Sequence, residues 1–168
     1  MKIIFLDIDG VLNVHSVGSK YERDRFGHLF VQDFVDNLRS IVEATDAKIV
    51  ISSTWRMAGL QIMRELWEER DLPGEVIDIT INAYEIVQEG RAEFYDRVER
   101  GHEIQEWIDS HSGIDEYVIL DDDNDFLDSQ RGRLVRTSNN INHPDSIDTG
   151  YGLTKECAKK AIRILGHK

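Results

Sequence analysis

At 168 residues, with 40% hydrophobic and 31% charged side chains, the chain has the composition and size of a folded domain and not those of a disordered one. Its 20 Lys and Arg stand against 32 Asp and Glu, a net charge of −12, so the average surface repels polyanions and broad nonspecific nucleic-acid binding is disfavoured. No run approaches the roughly 18 apolar residues of a membrane span, no secretory segment follows Met1, and the single Cys157 has no intramolecular partner.

The elements alternate. Residues 3–8 (IIFLDI) form an apolar run ending in acid, the pattern of a strand buried on both faces. Residues 31–44 place Val31, Phe34, Val35, Leu38, Ile41 and Val42 on one helical face. Residues 47–52 (AKIVIS) predict a second strand, 57–70 a helix, and 75–80 a third strand after the turn at Pro73 and Gly74. Residues 102–110 carry Ile104, Trp107 and Ile108 on a helical face, 117–121 (YVILD) predict a fourth strand, 133–137 a fifth, and 154–165 a closing amphipathic helix containing Cys157 as a packed thiol. Such alternation implies a mainly parallel sheet of five strands covered by helices on both faces, within one domain spanning 1–168. Residues 9–30 are too long for a tight strand-to-helix turn and are expected to form a small flap over the site. Residues 81–101 have weak periodicity, with helix expected only near Glu93.

Ligands bind beyond the carboxyl ends of the strands in doubly wound sheets, so the residues there carry the functional reading. Strand one ends in Asp7-Ile8-Asp9-Gly10, strand two in Ser52-Ser53-Thr54, and strand four in Asp121-Asp122-Asp123. Crowded carboxylates repel one another and are relieved by proton uptake or by a cation. An all-oxygen donor set without His or Cys favours Mg2+ over zinc, and Mg2+ partners phosphate oxygens. Asp7 and Asp9, two apart where a strand enters a loop, can face one phosphoryl group, Asp7 as nucleophile and Asp9 as acid and then base. Gly10 permits the sharp departure of the chain.

Phe5-Leu6-Asp7-Ile8-Asp9-Gly10-Val11-Leu12 resembles the first motif of the haloacid dehalogenase (HAD) superfamily, whose phosphatases carry the second Asp. The resemblance implies a HAD-like Rossmannoid three-layer α/β/α sandwich. It maps a phosphate-binding hydroxyl onto Ser52, with Ser53 as the alternative, and a basic residue onto Arg100 in preference to Arg97. It also implies that Asp7, the backbone carbonyl of Asp9, and Asp121 or Asp122 or both hold Mg2+, with Asp123 a further candidate. The segments DIDGVLN, SSTWR, RGHEIQEWI, ILDDDND and GLT are similar to the HAD domain of Swiss Army knife RNA repair proteins. The short interval between the first two motifs leaves little material for a cap, so a nearly capless, open site is expected.

The expected activity is therefore Mg2+-dependent phosphomonoester hydrolysis through an aspartyl-phosphate on Asp7, in the cytoplasm, on a nucleotide or a nucleic-acid terminal phosphate. The competing readings are a noncatalytic receiver-like phosphoacceptor and a metal-binding scaffold. Asp121, Asp123 and Asp125 do not open an EF-hand loop, because Phe126 and Gly132 stand where Gly and Glu are needed. Arg56 can either clamp a phosphate bidentately or pair with a surface acid. A short basic groove stays open, since Arg91, Arg97, Arg100, Arg131, Arg133 and Arg136 gather in the second half.

Overall fold

The computed structural model describes residues 1–13, 22–90, 98–137 and 152–166. Its centre is strand β1 (Lys2–Leu6), in which Ile3, Ile4, Phe5 and Leu6 are wholly inaccessible to solvent. Only a strand covered on both faces buries four successive side chains, and each such burial stabilises by roughly 1.5–3 kcal/mol.

The other strands of the sheet are β4 (Lys48–Ile51), β5 (Val76–Ile79), β6 (Glu116–Asp121) and β7 (Leu134–Arg136), in the spatial order β5-β4-β1-β6-β7, all parallel. The chain steps outward from β1 through β4 to β5, then returns to the opposite side of β1 for β6 and β7. The reversal places a topological switch point between β1 and β6, where open α/β sheets form their ligand crevice.

Side-chain alternation assigns the two faces. Ile4, Leu6, Ile49, Ile51, Val118 and Leu120 pack beneath helices α1 (Gln32–Thr45), α2 (Leu60–Glu69) and α5 (Lys155–Leu165). Ile3, Phe5, Val50 and Ile119 pack beneath α4 (Arg100–Ser110), through Ile104 and Trp107. The result is the three-layer, five-stranded architecture expected from the alternating pattern. Cys157 is buried in the α5 face.

Two expected elements differ in detail. The helix expected over 57–70 is split: Thr54–Ala58 is a 3-10 turn, Gly59 adopts φ 93°, ψ 156°, and α2 starts only at Leu60. Residues expected to stay irregular before Glu93 instead contain a short helix α3 (Ala83–Gln88), begun by a reciprocal capping box between Asn82 and Glu85. Glu93 itself, Arg91 and Arg97 lie outside the described residues. Between β1 and α1 the described residues include a two-stranded antiparallel hairpin, β2 (Arg23–Asp24) with β3 (Gly27–His28).

Gly101, in the first turn of α4, lies so close to the 126–127 backbone that a Cβ there would come 2.6 Å from the Leu127 nitrogen. Gly101→Ala is expected to lower stability by about 1–3 kcal/mol in urea melts. Gly132→Ala, which meets nothing within 4 Å, should shift the same midpoint by less than about 0.5 kcal/mol.

Candidate active site

The ladder extends one residue past the strands. Asp7 N–H donates to Leu120 O (2.9 Å), Ser52 N–H to Leu6 O (3.0 Å), Thr80 N–H to Ile51 O (3.0 Å), and Thr137 N–H to Asp121 O (2.8 Å). Because side chains alternate, Asp7, Ser52 and Asp121 continue the rows of Phe5, Val50 and Ile119, the rows beneath α4. Asp7 is 6% exposed, and Ser52 and Asp121 are wholly buried.

Carboxylate oxygens of Asp7, Asp121 and Asp122 lie within 4.8 Å of one another. Asp122 rests against Gly10, where a Cβ would stand 2.4 Å from the Asp122 carboxyl carbon. Gly10 thus serves twice, by its φ of 80° and by its lack of a side chain, and its carbonyl accepts from Thr137 Oγ1 at 2.8 Å.

Arg100, the first residue of α4, reaches into this group. Its Nη1 lies 3.4 Å from Asp7 Oδ1, its Nε 3.5 Å from Asp121 Oδ2, and Nη1 also donates to the Ser52 carbonyl. Asp125 holds that end of the helix, its Oδ2 accepting from Arg100 N–H (3.2 Å) and its carbonyl from Gly101 N–H (3.1 Å). One guanidinium does not neutralise the cluster. Burial pushes Asp7 up to about 6, against the pull of Arg100, and burial together with the Asp7 charge pushes Asp121 up to about 8.

The segment after β4 divides its labour. Ser53 Oγ accepts from Trp55 N–H (3.4 Å), beginning the 3-10 turn, and its side chain hydrogen-bonds Asp7. Ser52 Oγ is buried and makes no hydrogen bond to a described residue. Arg56 turns inward: Nη1 donates to the carbonyls of Ser52 (2.9 Å) and Ser53 (2.7 Å), and Nη2 to Glu103 Oε2 (2.8 Å). Glu103 Oε1 accepts from Ala83 N–H (2.8 Å), so one buried carboxylate ties the loop after β4 to α3 and α4. Arg56 pairs with an acid, but a buried one and not the surface acid expected, because its guanidinium turns inward beneath α4.

The structure therefore brings Asp7, Ser52, Ser53, Arg100, Asp121 and Asp122 together. Asp9 stands apart from the three-carboxylate group, its Oδ2 accepting from the Trp55 indole at 2.9 Å. Asp123 donates its N–H to Asp121 Oδ1 (2.9 Å), and its own side chain is exposed. Sequence reasoning missed Trp55, Glu103, Asp125 and Thr137, whose parts depend on contacts across the fold. Among the described arginines of the candidate basic groove, Arg131 pairs with Asp128, Arg133 with Glu116, Arg136 donates to the Asp122 carbonyl, and Arg100 faces Asp7 and Asp121.

The donor set suits a hard divalent cation. All three candidate groups are carboxylates, and Asp121 Oδ2 is buried without a hydrogen bond to a described residue. Asp7 and Asp121 carry folded-state values above the ordinary carboxylate 3.8, so their contribution to metal-free stability is full below that value and is lost as pH rises through about 6 and about 8. Asp121→Asn should accordingly stabilise the metal-free protein by several kcal/mol at pH 9, and by much less at pH 5, in thermal melts. Glu103→Ala, which strands Arg56 in the interior, should cost about 3–5 kcal/mol in urea denaturation.

Similarity to known proteins agrees with this geometry. No curated protein and no solved structure matches the chain. No helix among the described residues is long and apolar enough to cross a membrane. A family model described as the HAD domain in Swiss Army Knife RNA repair proteins matches residues 3–142, well over half of the chain, and supports a phosphatase-type hydrolase. With its parallel five-stranded sheet and its acid-rich strand ends, the chain belongs to the family of HAD domains in Swiss Army Knife RNA repair proteins.

Proposed function

We propose that the chain, acting as one hydrolase domain, is a Mg2+-dependent phosphomonoesterase that works through an aspartyl-phosphate on Asp7. The observation that carries this reading is the juxtaposition of Asp7, Asp121 and Asp122 at the switch point of the sheet, with Arg100 beside them. Asp7, Asp121 and Asp122, with the backbone carbonyl of Asp9, would hold Mg2+, which when bound supplies positive charge to the phosphoryl oxygens.

Asp7 attacks phosphorus as the bond to the leaving oxygen breaks, and Asp9 gives that oxygen a proton. Asp9 then takes a proton from the water that cleaves the aspartyl-phosphate, releasing phosphate and restoring both groups. Ser52 is assigned to the phosphoryl oxygens, because its Oγ lacks a partner among the described residues whereas Ser53 is occupied by Trp55 N–H and Asp7. Arg100 is a second phosphate contact, with a guanidinium already beside the nucleophile.

The substrate class proposed is a nucleotide or a terminal phosphate of nucleic acid. Membership of a family named for RNA repair proteins supports it, and among the described residues between β1 and α1 the hairpin has two strands of only two residues, which suits access by a bulky chain end. The net charge of −12 favours engagement of an end over wrapping of a long duplex.

Purified protein should release phosphate from nucleotides or phosphorylated oligonucleotide ends with Mg2+ and stop when the ion is chelated. Asp7→Asn should lower turnover by about three orders of magnitude or more while the circular dichroism spectrum is kept. Undiminished turnover in that variant would remove Asp7 as nucleophile, and Mg2+-dependent melting without hydrolysis of any substrate would make the chain a metal-binding scaffold.

A further inference from the structure

Trp55 touches one carboxylate of the first motif directly and stands one residue away from the other. Its backbone N–H meets Ser53 Oγ at 3.4 Å, and that side chain hydrogen-bonds Asp7. Its indole Nε1 donates to Asp9 Oδ2 at 2.9 Å. An indole N–H can only donate, so the oxygen facing it must accept. When Asp9 is protonated, the proton then belongs on the other oxygen, Oδ1.

The indole plane is held from several sides. Gly27, at φ 119°, brings its backbone so close that a Cβ there would lie 3.3 Å from the Trp55 ring. Phe30 packs with ring centroids 5.7 Å apart, and Arg70 stands 4.5 Å over the Phe30 ring. Arg70 in turn grips the hairpin through two hydrogen bonds to Asp24, of 2.8 and 2.7 Å. The β2-β3 hairpin and the end of α2 thus form the mount for a ring whose polar edge ends on Asp9.

We propose that Trp55 is a positioning residue for phosphoryl transfer: its indole fixes Asp9 so that Oδ1 carries the proton delivered to the leaving oxygen. The inference rests on the acid role given to Asp9 above. In the transfer step the bond from Asp7 to phosphorus forms, the bond from phosphorus to the leaving oxygen breaks, and the Asp9 Oδ1 proton passes to that oxygen. Without the indole donor, Asp9 rotates freely between its two oxygens and its proton is often misplaced, an error that matters only for a leaving group that needs the proton.

Trp55→Phe keeps the ring against Gly27 and Phe30 and removes only the donor. The test compares kcat/KM for two substrates of similar shape in the full chain with Mg2+: 4-nitrophenyl phosphate, whose leaving group departs as an anion, and benzyl phosphate, whose alkoxide must be protonated. The variant should lose about 10- to 100-fold on benzyl phosphate and less than about 3-fold on 4-nitrophenyl phosphate, with a thermal midpoint within a few degrees of the parent. Equal losses on both substrates, or no loss on benzyl phosphate, would overturn the inference while leaving the phosphatase reading in place. A parent protein that hydrolyses neither would fail at the earlier step and take the inference with it.

Discussion

The arrangement depends on an electrostatic constraint set by backbone pairing. β1 and β6 run parallel in register, Leu6 opposite Leu120, so the next residues of both strands, Asp7 and Asp121, must emerge side by side. Neither can retreat to solvent, since both side chains continue a row that is buried beneath α4. Water is excluded and like charges are close, which makes the pair costly in its fully ionised state. Arg100 from the start of α4 and the hydroxyl of Ser53 answer part of that cost, while Asp122 adds a third negative charge to it.

Arg100 is held as firmly as the acids it faces. Asp125 fastens the helix end that carries it, and Gly101 lets that end sink against the 126–127 backbone. A little further along the same helix, Glu103 reaches Arg56, and Arg56 fixes the carbonyls of Ser52 and Ser53. Helix α4 therefore presents a cation to the acids through its first residue and organises the hydroxyl-bearing loop through its fourth. This buried ion pair has the additional hydrogen bonds, to Ala83 N–H and to two carbonyls, without which such a pair would be a liability.

The sheet and most of the cluster were legible in the sequence because both follow from short-range rules. Runs such as IIFL and YVIL announce buried strands, and the acids that end them mark the carboxyl edge without knowledge of any contact. The break at Gly59 and the capping box of Asn82 and Glu85 were written in local chemistry too, but each was masked by a stronger or weaker periodic signal around it. Trp55, Glu103 and Asp125 were of another kind. A tryptophan after SST reads as a packing residue, and only the meeting of β1 with the loop after β4 turns its N–H toward Asp9. The role of Ser52 against Ser53 was equally closed to sequence, because it rests on which hydroxyl already has partners.

The central placing of β1 bears on how the chain matures. Its residues pair on one side with β4, some forty-five positions later, and on the other with β6, more than a hundred positions later. β1 can find its second neighbour only after the whole intervening stretch has been synthesised, and parallel pairings of such long separation are slow to close. Asp7 and Asp121 therefore meet only through a pairing of residues more than a hundred positions apart, and a chain lacking β6 carries the first half of the cluster with nothing to complete it.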